Sequence, residues 1–163
     1  MTNEILAKIL GSGILIFAAL YFSYIKISAS RNKIREISAF IDIISEIKNG
    51  IYHFSKPLPE IFSNYNNDYF ENNGFLKDIT QFSARDVISK YSFVLNNESA
   101  EIIKSFFSKI GESYVEDEIN LCGYTLERLT QIKNSMISDD KNIGKLYRTI
   151  PILAALSVIL VLI

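Results

Sequence analysis

Two stretches without a charged side chain, Ile9 to Ile25 and Thr149 to Ile163, bracket a charge-rich middle. As a helix the first covers ~26 Å at ~1.5 Å per residue, close to the ~30 Å hydrocarbon core of a bilayer, so modest thinning lets it span. The second reaches ~27 Å when counted from Leu146, provided that Arg148 sends its guanidinium back to the headgroups along its own stem. The pattern predicts a transmembrane helix over 5–25, a polar helical domain over 26–145 and a second transmembrane helix over 146–163.

The flanks set the expected orientation. Lys26, Arg31, Lys33 and Arg35 follow the first run, and Lys141, Lys145 and Arg148 precede the second. Basic residues at both inner boundaries predict a cytoplasmic middle and outward termini. A cleaved signal peptide ending near Ser28-Ala29-Ser30 is the competing reading, but Lys26 intrudes before that site and the positive charge lies on its wrong side. Cys122 is the single cysteine, which excludes an intrachain disulfide and agrees with a reducing compartment.

A net charge of −1 offers no broad basic face, so nucleic acid is not an expected partner. One His and one Cys, far apart in sequence, form a nucleophile–base pair only if the fold brings them together, and they supply no metal-ligand set. His53 reads as a hinge residue and Cys122 as a small core hydrophobe. No phosphate-binding glycine loop occurs. The chain is expected to be no enzyme, with no catalytic residues, cofactor or metal.

Within the middle, apolar residues recur at helical spacing and no alternating strand pattern is bounded by hairpin turns. The predicted fold is all-α, a small antiparallel helical bundle flanked by the two transmembrane helices. Ile34, Ile37, Ile41, Ile44 and Ile51 continue the first helix as a buried stripe. Gly50 is expected to weaken it, and Lys56-Pro57-Leu58-Pro59 to end it, with Pro59 in the first turn of a short helix carrying Glu60, Ile61 and Phe62. The asparagines between residues 64 and 73 predict turns.

Phe75, Leu76, Ile79 and Phe82 suggest a short helix broken at Ser83. Ser83 with Asp86 predicts a capping box opening a helix through Val87, Ile88, Tyr91 and Val94. Asn96 or Asn97 caps a helix that stops at Gly111. Ser113 with Glu116 predicts a second box, before a helix with Val115, Ile119, Cys122, Leu126, Leu129 and Met136 on one stripe, packed along the helix from Ile34 to Ile51.

Two segments are candidate partner surfaces. One is the hinge with Gly50, Pro57, Leu58, Pro59 and Glu60; the other is the acidic cluster Glu112, Glu116, Asp117 and Glu118. The acidic residues also complement the positive end of a helix dipole, which by itself accounts for such a cluster. Lys145, Tyr147 and Arg148 are candidates for guiding the chain into the bilayer.

The order of Glu46-Ile47-Lys48-Asn49-Gly50, Pro57-Leu58-Pro59-Glu60, the Gly111 break, Leu126-Glu127-Arg128-Leu129 and Lys145-Leu146-Tyr147-Arg148 resembles the stage III sporulation protein AB family over nearly the whole chain. Lys56 and Pro151 depart from it, standing where relatives commonly have Thr and Gly. The resemblance implies a component of the channel apparatus between mother cell and forespore, in the mother-cell membrane surrounding the forespore. It also implies similarity to the F-type inner-membrane platform proteins of type II secretion and type IV pilus systems.

Expected partners are the secretion-type ATPase of the same operon, stage III sporulation protein AA, other channel membrane proteins and the lipid bilayer. The alternative is a membrane-anchored structural bundle that forms a homo-oligomer through its spans, where Gly11, Ser12, Gly13, Ala18, Ala19, Ala154 and Ala155 permit close helix approach.

Overall fold

A computed structural model describes the backbone of residues 2–162, and the side chains of all of these except 2–10, 12, 15, 16, 19, 142, 143, 145–148, 150–152, 154–156 and 158–162. The described residues form seven helices and no strand: α1 (Thr2–Phe54), α2 (Leu58–Asn64), α3 (Asp68–Asn73), α4 (Phe75–Gln81), α5 (Ala84–Lys90), α6 (Asn97–Lys109) and α7 (Val115–Leu162). They divide into two compact units, Asn32–Ser135 on one hand and Met1–Arg31 with Met136–Ile163 on the other.

In the terminal unit Ile14, Phe17, Leu20, Tyr21, Phe22, Tyr24, Ile25 and Leu153 are exposed, and the Lys26 ammonium lies 5.6 Å from the centre of the Phe22 ring. Among the described residues no helix is long and apolar enough to cross a membrane. Many side chains of the expected spans over 5–25 and 146–163 lie outside the described residues, and so do those of Lys145, Tyr147 and Arg148.

The unit Asn32–Ser135 is built around the second half of α1. Ile37, Phe40, Ile43, Ile44 and Ile47 are wholly buried there, a face wider than the isoleucine stripe read from the sequence, with Phe40 at its centre. Phe40 meets Phe70, Phe75 and Tyr91 edge-on at 5.0, 5.7 and 5.6 Å between ring centres and stacks with Phe93 at 5.6 Å. Helices α3, α4 and α5 span only six or seven residues each, too short to persist alone. Phe70 docks α3 and Phe75 docks α4 on Phe40 of α1, while α4 also packs on α2, α3 and α5, and α5 on α6.

Several helix ends differ from expectation for local reasons. Gly50 does not weaken α1, which runs on to Phe54. A Cβ at Gly50 would lie 2.6 Å from Ile61 Cδ1, so the glycine lets α2 approach α1 closely. In the asparagine-rich stretch, Asn67 accepts the Tyr69 N–H at 3.0 Å and Gly74 turns left-handed at φ 77°, which makes a capped helix where turns were expected. Asn96 caps α6 by accepting the Ser99 N–H at 3.1 Å, and Gly111 takes φ 88° just after it.

Neither predicted capping box forms. Ser83 precedes α5 without a side-chain cap, and α5 stops at Lys90, short of Tyr91 and Val94. Residues 91–96 are irregular, and a distant residue satisfies part of their backbone: the buried Glu36 carboxylate of α1 accepts the N–H groups of Val94 and Leu95, both at 2.8 Å. On α7 the buried stripe is Glu118, Cys122, Thr125 and Leu129, while Val115 is exposed and Ile119 and Leu126 are half-buried. Gly123 places α7 beside α1, since a Cβ there would sit 3.8 Å from the Lys48 Nζ.

The end of α1 carries an unusual turn. The Lys56 N–H donates to Gly50 O at 3.1 Å and the Ser55 N–H to Ile51 O at 3.2 Å, the second being the five-to-one bond of an αL cap. Its left-handed residue is Ser55, at φ 48°, the one non-glycine residue with positive φ among those described. A side chain in that region costs ~1 kcal/mol or more. Ser55→Gly is therefore expected to stabilise the protein by ~1 kcal/mol in urea unfolding, and a loss of stability would show that the strain is absent.

Candidate functional site

The two candidate segments, about fifty residues apart in sequence, meet at one end of the Asn32–Ser135 unit, where α1 stops and α7 begins. Ile51, Ser55, Leu58, Gly111, Val115 and Glu118 line a shared cavity of about 360 Å³ there. Leu58 supplies part of the floor: a Cβ at Gly111 would lie 3.0 Å from its Cδ1. Pro57 sits at the start of α2 in extended conformation and, with Pro59, is exposed. Gly50 is buried one turn before the end of α1, so it shapes the packing beneath this surface and is not part of it.

The acidic side chains divide by role. Glu60 pairs with Lys56 at 3.1 Å, and Glu112 pairs with Arg85, whose guanidinium also donates to Ser108 O. Glu118 turns inward. Only 8% exposed, it accepts the Gly111 N–H at 2.8 Å and the Ser113 N–H at 3.4 Å, so it ties the α6–α7 turn together and does not face a partner. Glu112, Glu116 and Asp117 are the exposed carboxylates of the cluster, and of these Glu116 and Asp117 have no ion pair among the described residues.

Sequence reasoning missed the aromatic component of this end. Tyr52 is 64% exposed, Phe54 68% and Tyr114 86%. His53 lies between the first two and meets the Tyr52 ring edge-on at 4.6 Å. For Tyr52 the signal was present, since it falls off the three-four stripe of α1; Phe54 continues that stripe three residues after Ile51, yet is exposed at the last position of the helix.

Cys122 is wholly buried on α7. Burial first, and the Glu118 carboxylate second, push its thiol up to about 11 from 9.0, with Lys48 acting in the opposite direction. Because the folded value is the higher one, this contribution to stability is whole below pH 9.0 and is lost as pH rises towards 11. At neutral pH the native thiol is expected to react with a maleimide on the order of a hundredfold more slowly than in urea. Equal rates in both states would mean that Cys122 is not enclosed. Among the described residues no three metal-ligating side chains come together.

The fold and this end define a helical-bundle protein whose candidate site is a surface recess lined by Ile51, Leu58, Val115 and Glu118, with exposed Tyr52, Phe54 and Tyr114 on the adjoining stretches of chain. The family model for stage III sporulation protein AB matches residues 8–163, and the chain belongs to that family. It is therefore a protein of stage III sporulation, in a family not known for enzymes. Neither the curated proteins nor the solved structures yield a match to this chain.

Proposed function

We propose that the protein is a membrane platform component of a sporulation-specific, secretion-like channel, anchoring or coupling a cytoplasmic ATPase to the complex between mother cell and forespore. The observation that carries this reading is the convergence of the hinge and acidic segments on one exposed end of a helical unit. A surface assembled from two distant segments suits protein docking better than chemistry, since it gathers no pair of titratable groups fit for acid–base work. Membership of the stage III sporulation protein AB family supports the sporulation context.

Anchoring rests on the uncharged runs at both ends and on their basic inner flanks. The exposed row Phe17, Tyr21, Phe22, Tyr24 and Ile25, followed by Lys26, suits a lipid-facing surface with an aromatic and basic boundary. By this reading the central domain faces the mother-cell cytoplasm, where the ATPase of the same operon, stage III sporulation protein AA, is its partner.

Purification of the full-length protein from membranes of sporulating cells tests the function. The ATPase in the eluate is the expected result, whereas self-association alone favours the structural-bundle alternative. Cysteines placed at Thr2 and Asn72 in a Cys122→Ser background test the topology. Only the one at Thr2 is expected to react with an impermeant thiol reagent on intact protoplasts, and labelling at Asn72 alone would overturn the orientation.

A further inference from the structure

In the Asn32–Ser135 unit the exposed large hydrophobic side chains are Tyr52, Phe54, Phe82, Val94, Tyr114, Val115 and Tyr124. Four of these seven belong to the same end: Tyr52 and Phe54 from the last turn of α1, Tyr114 and Val115 from the start of α7. Chance scatter of surface hydrophobics needs no explanation, but concentration on the two segments that line one recess, with Val115 in the lining itself, does. Exposed tyrosines and phenylalanines carry large contact area at small entropic cost, which is why they anchor interfaces.

Charge narrows the occupant. Around the recess Lys56 is already paired with Glu60, Glu112 with Arg85, and Glu118 with backbone N–H groups. What remains is Glu116 and Asp117, both exposed, beside Tyr114 and Val115 in sequence, against the single exposed Lys109 two residues before Gly111. The field presented outward is therefore negative, next to apolar rings. Ser55 adds a structural sign, because its strained left-handed backbone turns the chain between Phe54 and the proline hinge, and strain of this kind concentrates at functional sites.

We infer that this end is a docking socket for a short protein segment that offers an aliphatic anchor flanked by Lys or Arg. The aliphatic side chain enters the cavity of about 360 Å³ between Ile51, Leu58 and Val115. Tyr52, Phe54 and Tyr114 close around it, and the basic flank meets Glu116 and Asp117. An acidic or wholly apolar segment is disfavoured, the first by repulsion and the second by leaving the carboxylates without a partner. The inference rests on the proposed function in taking the occupant to be a protein, and it adds the chemistry by which that occupant is recognised.

The sequence contains no Trp, so Tyr114→Trp in the full chain, held in zwitterionic nanodiscs, gives emission from the socket alone. The probes are two hexapeptides, one alternating leucine with arginine and one alternating leucine with glutamate. The arginine peptide is expected to shift the emission to the blue with about three- to tenfold higher affinity than the glutamate peptide. Adding Glu116→Gln and Asp117→Asn, or raising salt, should abolish that preference. Phe54→Ala or Tyr52→Ala should weaken both peptides, while Phe82→Ala and Tyr124→Ala leave them unchanged.

Equal affinity for the two peptides, no shift with either, or indifference to both Phe54→Ala and Tyr52→Ala would overturn the socket. Unchanged circular dichroism and melting must accompany each variant. Binding of the purified ATPase to the unsubstituted protein is measured separately. A socket that takes the arginine peptide in a protein that does not bind the ATPase removes the proposed function alone. ATPase binding without any peptide preference removes the socket alone.

Discussion

Phe40→Ala is expected to lower the stability of the protein by ~3–5 kcal/mol, enough to consume much of the margin of a domain this size. The residue is wholly buried, and four rings from three separate segments have centres within 5.7 Å of its own, Phe70 on α3, Phe75 on α4, and Tyr91 and Phe93 on the α5–α6 connection. Removing the ring loses its transfer free energy and leaves a cavity that short helices fixed to one another cannot easily close. The edge-on contacts add to the loss beyond area. Phe40→Leu, which keeps most of the volume, should cost roughly half as much.

Urea unfolding of the full chain in detergent measures both changes, and hydrogen exchange adds the location. Amides of α3, α4 and α5 should exchange faster in Phe40→Ala, because those helices depend on docking. A loss under ~1 kcal/mol would mean that the aromatic cluster is not the centre of the core.

Glu36→Ala is the second large effect, at ~2–4 kcal/mol. Its carboxylate is wholly buried and takes two backbone N–H groups of the α5–α6 connection, so alanine strands both donors and does not merely delete a contact. Glu36→Gln retains an acceptor oxygen and should cost less, in keeping with a weaker neutral bond. A distinct readout is Tyr91, whose hydroxyl is held well above the usual phenol range by burial first and by the Glu36 carboxylate second. In Glu36→Ala the Tyr91 phenol should titrate at lower pH. No change in Tyr91, together with unchanged exchange at Val94 and Leu95, would show that Glu36 does not hold this connection.

These two residues mark the boundary between what is legible in a linear pattern and what is not. The helical class, the long run of α1, the break at Pro57 and the left-handed Gly111 all follow from periodicity and from residues whose backbone preferences are local. Phe40 was hidden among isoleucines because a stripe records which residues face inward and not which of them will meet four other rings. Glu36 was invisible for a stronger reason. A carboxylate on a helix reads as solvent-facing, and only the arrival of residues 94 and 95, nearly sixty positions later, makes its burial tolerable.

The candidate site divides along the same line. Composition alone marked the hinge and the acidic cluster as segments of interest, since proline clusters and charge runs are properties of neighbours in sequence. Tertiary structure decided which of those residues can meet a partner. It turned Glu118 inward to cap the Gly111 turn, buried Gly50 against Ile61, and left Glu116 and Asp117 outside beside Tyr114. By itself the sequence determined an all-helical chain with uncharged ends and little catalytic equipment, because helix periodicity and residue chemistry act over a few positions. Only the fold decided that residues 50–60 and 111–118 share one recess, because that depends on which helix faces close-pack, a condition no local stretch contains.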